Sequence, residues 1–137
     1  MLNEFWLDCF RDQIPKENYE MQLIQSEQQG LVIHQNGSHQ SVALDFGNVQ
    51  AVNILDEGVQ LNEPPGVTFA NQAEPHESSF SNTLYRTENG SYAAYIKACI
   101  GTDLYETMNL HQYTLVTLNY VVEIICGAEP TITVTQS

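Results

Sequence analysis

Residues 31–46 read LVIHQNGSHQSVALDF, from Leu31 to Phe46, and the architecture follows from this stretch. Asn-Gly suits a two-residue hairpin turn, because both residues accept the positive φ that matches the twist of flanking strands. A turn on Asn36-Gly37 pairs Gln35 with Ser38, His34 with His39 and Ile33 with Gln40. Leu31, Ile33, Val42, Leu44 and Phe46 then share one face, and His34, His39, Ser41 and Asp45 share the other. Turn chemistry and alternation point to the same structure: one face belongs to a core and one is wet.

Working outward, Val49 to Leu55 predicts a further strand that extends the meander after Gly47-Asn48. A second hairpin is expected at Asn89-Gly90, pairing Thr87 with Tyr92 and Tyr85 with Ala94. It sets Tyr85, Tyr92, Ala94 and Ile96 on one side, with Arg86 and Glu88 on the other. Between the hairpins runs a long irregular stretch, Asn62 to Ser81, containing Pro64-Pro65-Gly66 and Glu74-Pro75-His76-Glu77, with a short strand at Val67-Thr68-Phe69. Loops of this length usually carry function or move. Near the start, Phe5, Trp6, Leu7, Phe10 and Ile14 recur at three- and four-residue steps, which predicts an amphipathic helix from after Asn3 to Pro15. Trp and Phe also favour strands. Towards the end, His111 to Leu118 alternates as a strand, and Asn119 is placed to cap a short helix over Tyr120 to Cys126 that Gly127 and Pro130 end. Thr131 to Thr135 reads as a last strand. The expected fold is a single α+β, β-rich domain over residues 1–137. It is mostly antiparallel, in one sheet or two packed sheets, with an N-terminal helix and a short C-terminal helix.

The chain has 137 residues, 42% of them apolar, enough for one hydrophobic core and too many for a disordered polymer. A domain of this length buries roughly two-thirds of its unfolded surface and needs no disulfide or metal to stay folded. Charge is its most unusual property. Seventeen acidic residues face only Arg11, Lys16, Arg86 and Lys97, a formal net charge of −13. Residues 17–85 contain Glu17, Glu20, Glu27, Asp45, Asp56, Glu57, Glu63, Glu74 and Glu77 and no Lys or Arg. Such a field repels phosphate backbones and anionic lipid, which argues against nucleic-acid and membrane partners, and it speeds encounter with a basic protein. The competing explanation is that the charge only keeps the chain in solution.

Cys9, Cys99 and Cys126 are odd in number, widely spaced and set among apolar neighbours, as small hydrophobes are. Glu4 and Asp8 stand where a signal peptide carries positive charge, and no apolar run reaches membrane-spanning length. A reducing cytoplasm is the expected compartment.

Catalytic signatures do not emerge: there is no GxSxG elbow, no Gly-rich phosphate loop and no CxxC or Cys/His zinc spacing, so no catalytic residue, metal ligand or cofactor is assigned. His34 and His39, opposite one another in the expected register, could reach one metal ion. The nearest third ligand, Asp45, lies about 20 Å along the strand, and two exposed histidines beside a turn explain the pair as well. Tyr85, Tyr92, Tyr95, Tyr105 and Tyr113 could line a ligand site or pack across strands.

The acidic α+β composition without catalytic motifs, together with YTLVTLNYVVEIICGAEP at Tyr113 to Pro130, resembles bacterial toxin-immunity proteins, including those of contact-dependent inhibition. The resemblance covers these eighteen residues and carries no site residues with it. It implies a basic partner, a cognate toxin, often a nuclease, whose active site the protein covers. Asp56, Glu57, Glu63, Glu74 and Glu77 are the expected contact carboxylates, flanking or within the long stretch, with Phe69 as an aromatic anchor. A small-ligand or metal-binding β domain, and an inhibitor that mimics nucleic acid, are the alternatives.

Overall fold

The computed structural model describes residues 4–10, 12–56, 67–70 and 84–136. In chain order they form β1 (Glu4–Asp8), β2 (Glu20–Ser26), β3 (Gly30–Asn36), β4 (Gln40–Gly47), β5 (Ala51–Asp56), β6 (Val67–Ala70), β7 (Leu84–Glu88), α1 (Ser91–Ile100), α2 (Thr102–Thr107), β8 (His111–Val116), β9 (Tyr120–Cys126) and β10 (Thr131–Gln136). Six strands make one sheet in the order β5-β9-β8-β7-β1-β6, and four make a second in the order β10-β4-β3-β2. Neighbours run antiparallel except β1 and β6, which are parallel. The β-rich, largely antiparallel expectation holds in its two-sheet form.

The sheets face each other across one core. Leu31, Ile33, Val42, Leu44 and Phe46 from the four-stranded sheet pack with Leu84, Tyr113, Leu115, Val122, Ile124 and Cys126 from the six-stranded sheet, and Ile14 and Tyr19 join them. The inward face anticipated around the β3–β4 hairpin is therefore the buried one. Its register differs from expectation. Asn36 pairs with Ser41, Gln35 with Val42 and His34 with Ala43, so the two-residue turn is Ser38-His39, closed by Gly37 N–H donating to Gln40 O at 2.9 Å. Neither Asn36 nor Gly37 takes a positive φ. The slip moves each pairing by an even number of residues, so every side chain keeps its face.

Four further expectations fail. The N-terminal helix is a strand: β1 pairs with β6 and β7, burying Trp6 while Phe5 points outward at 38% exposure. The helical spacing of Phe10 and Ile14 is real but spans one turn, in which Ile14 N–H donates to Phe10 O. The short C-terminal helix is β9. Tyr120-Val-Val-Glu-Ile-Ile-Cys126 is rich in β-branched residues, and as an inner strand it is buried on both faces, so it reads as a run instead of an alternation. Asn119 lies in the β8–β9 turn, where Thr117 N–H donates to Tyr120 O at 2.9 Å. The Asn89-Gly90 hairpin is absent. Asn89 does adopt φ 56°, but Gly90 at φ −70° leads into α1, where Tyr92, Ala93 and Ile96 follow helical periodicity against the sheet. Nor does β5 extend the first meander; it pairs with β9 in the other sheet.

The helices cover part of the outer face of the six-stranded sheet, with Ala93, Tyr105 and Leu110 against Ile125. Cys126 is buried and Cys9 half-buried, as small hydrophobes would be, whereas Cys99 is exposed on α1. No helix among the described residues is long and apolar enough to cross a membrane.

Candidate partner-binding site at the turn end of the sandwich

Ser38-His39 closes β3 onto β4 at one end of the inter-sheet space, and the segment before β2 lies across it. Glu17 Oε1 accepts the backbone N–H of His39 at 3.3 Å and lies 3.0 Å from its Nδ1. The other oxygen, Oε2, lies 1.3 Å from where a Cβ on Gly37 would stand, and the Tyr19 ring lies 3.0 Å from the same point. Glycine at this position leaves room for a carboxylate. Tyr19 is buried; its hydroxyl donates to Pro15 O at 2.6 Å and accepts from Gln40 Nε2 at 3.4 Å. Burial raises its pKa, as does the neighbouring Glu17 charge, against the hydrogen bond from Gln40.

Tyr19 O accepts Leu118 N–H at 2.8 Å, so this end adjoins the β8–β9 turn of the other sheet. There Tyr120 pairs directly with Asp56, the last residue of β5, and β5 is an edge strand. Ile54, Leu118 and Tyr120 are exposed by 46%, 43% and 41%. An exposed aromatic side chain thus stands opposite an exposed carboxylate, with Ile54 two residues back on the same strand and Leu118 in the adjoining turn, the mix of anchor and charge that partner surfaces use.

Of the anticipated contact residues, Asp56 belongs to this patch. Glu57, Glu63, Glu74 and Glu77 lie outside the described residues. Phe69 is on β6, at the opposite end of the strand order from β5, and pairs in register with Trp6, so it does not share a strand neighbourhood with Asp56. Ile54, Leu118, Tyr120 and Glu17 were not anticipated. His34 and His39 do not face each other across the hairpin: His34 pairs with Ala43 and Gln22, and His39 sits in the turn beside Glu17. Among the described residues, no three His, Cys, Asp or Glu side chains group as metal ligands.

A second polar cluster lies under α1. Glu4 Oε1 accepts Ser91 N–H at 3.0 Å, its other oxygen accepts Trp6 Nε1–H, and Gln112 Oε1 accepts Ala93 N–H at 3.0 Å. Glu123 accepts from Asn53 at 2.8 Å and from Gln112 at 3.3 Å. Burial raises the Glu123 pKa, with Glu4 adding repulsion, while its bonds to Asn53 and Gln112 pull the other way. Gly90 has no capping side chain of its own. Glu4 and Gln112 supply that service from the sheet, satisfying amides the helix cannot. This cluster docks a helix.

No family model, curated protein or solved structure matches the chain.

Proposed function

We propose that the protein is an acidic binding domain that neutralises a basic partner, in the manner of an immunity protein covering the active site of a cognate bacterial toxin such as a nuclease. One observation carries the reading. Asp12, Glu20, Glu27, Asp45, Glu88, Asp103, Glu106 and Glu129 are exposed, while the exposed basic residues among those described are Lys16 and Arg86. Arg86 lies 2.9 Å from His111 Nδ1, a contact that gives it no anion. Lys97 sits over the Tyr105 ring, 5.0 Å from its centroid. The surface charge therefore goes largely unanswered within the described molecule, and a cationic macromolecule would answer it.

The patch of Ile54, Asp56, Leu118 and Tyr120 is the docking surface this reading assigns. Its apolar members would exclude water around the charge contacts, and the carboxylates would occupy cationic positions that a nuclease uses for phosphate. The test is co-expression of the tagged protein with the basic product of the adjacent reading frame, followed by stopped-flow association at rising salt. A stable complex whose on-rate falls steeply with ionic strength is expected. A complex that forms equally fast at high salt, or an adjacent product that does not bind, would overturn the proposal.

A further inference from the structure

Two unsatisfied polar groups lie at the same end of the core. Gln35 is 0% exposed on the inward face of β3, flanked in register by Met21 and Val42, and neither atom of its carboxamide has a partner. Glu17 Oε2 is likewise buried and unpartnered. Gly37 places them together. It follows Gln35 by two residues on the same face, about 7 Å further along the strand, and Glu17 Oε2 fills the space its missing side chain leaves. A buried amide and a buried carboxylate oxygen both without partners are costly, and native proteins rarely leave them so.

We infer that this end of the sandwich receives one cationic side chain of the basic partner, a lysine or an arginine, whose N–H groups donate to Glu17 Oε2 and to the Gln35 carboxamide oxygen. The inference rests on the docking proposed above and names the contact at its centre. The charge sign follows from Glu17, which repels anions. Two of the three unpartnered atoms, Glu17 Oε2 and Gln35 Oε1, are acceptors that call for N–H donors, and Tyr19 already spends its hydroxyl hydrogen on Pro15; the third, Gln35 Nε2, is a donor that the cation itself does not satisfy. The exposed Leu118 and Tyr120 lie on the turn tied to Tyr19, so the stem of a lysine or arginine reaching Glu17 from that side would pass over apolar surface as such stems commonly do. A metal ion is a poor fit, because the described residues gather no third ligand.

The test uses the full-length, isotope-labelled protein and four small probes at matched ionic strength: n-butylammonium, n-propylguanidinium, tetramethylammonium and n-butanol. Saturable movement of the Gln35 side-chain amide and Gly37 backbone resonances is expected with the first or second probe, and not with the others. The apparent affinity should fall about tenfold or more in Glu17→Gln. In Gln35→Met, which keeps the side-chain length, the Gly37 response to the cation should weaken comparably while spectral dispersion reports an intact fold. The butylammonium and propylguanidinium arms separate lysine from arginine. Gln35 signals that ignore every probe, or that contact only water, would overturn the site. A lysine-rich decapeptide tells this failure from that of docking. If it binds wild type and Glu17→Gln alike in a salt-sensitive way with Gln35 unmoved, only the site is lost. If it binds neither, the docking proposal falls too.

Discussion

At Gly30 the backbone passes through φ +77°, and a Cβ there would lie 2.1 Å from Gly47 O. The close approach adjoins the β-bulge where Leu31 pairs with Gly47 but Val32 pairs with Asp45, leaving Phe46 unopposed yet still buried. Gly30→Ala combines a left-handed backbone with an overlap that backbone atoms cannot evade. It should destabilise by at least about 2 kcal/mol, read as a lower urea midpoint at unchanged slope. Tyr120 is the opposite case, exposed and dispensable for the fold. Tyr120→Ala should leave the urea midpoint within about 0.5 kcal/mol of wild type yet weaken the partner complex by about 2 kcal/mol, roughly 30-fold, mostly through faster dissociation. Asp56 could be picked out from charge alone. Tyr120 and Leu118 could not, because their stretch reads as a strand end followed by a helix. Gln35 looked like an ordinary polar residue, although its parity with Leu31 and Ile33 already put it on the inward face.

Single elements were legible where local chemistry and tertiary context agreed. The β3–β4 hairpin and β10 alternate because one face of each is more deeply covered than the other, and β8 alternates because its inner face is apolar while its equally buried outer face carries Gln112 and Thr114. The misreadings share a cause. β9 is buried on both faces, so its pattern carries no period, and a polar residue before it resembled a cap. β1 is short and aromatic, and its two neighbours in the sheet come from distant parts of the chain. No window of local sequence contains that information. The Asn89-Gly90 signal was half correct: the left-handed Asn is there, but the chain leaves the turn as a helix because Glu4 and Gln112 wait on the sheet to receive its amides. Glu123, in the same cluster, makes the docking of α1 sensitive to pH. With its folded pKa raised by burial, the folded state binds a proton more readily than the unfolded chain does. Its contribution is complete below the unfolded carboxyl pKa of about 4.3 and is lost as pH rises through the raised folded value. Glu123→Gln should flatten that part of the stability–pH curve, measured by urea unfolding at several pH values. A curve of unchanged slope would remove Glu123 from the account.

For the whole molecule, charge sets the terms. A chain at −13 repels itself, and the described residues contain few cations to relieve it. Adding neutral salt should therefore raise the thermal midpoint. A gain of about 1 kcal/mol corresponds to about 4 °C, and calorimetry from low to moderate ionic strength would read it. The same charge bears on the four-stranded sheet. Its outer strands are β2, EMQLIQS, and β10, TITVTQ, and among the described residues neither pairs on its far side. Neither carries a lysine, an arginine or a proline, the devices by which sheets commonly keep strangers from joining them. Long-range repulsion takes over that duty, and it fails near the sequence isoelectric point of about 4.3. Mild acidification should therefore drive ribbon-like stacking of whole molecules, visible as light scattering and thioflavin fluorescence that Thr133→Lys suppresses. For a cell or a test tube that turns sour, the hazard in this protein is polymerisation through its margins before any loss of its interior.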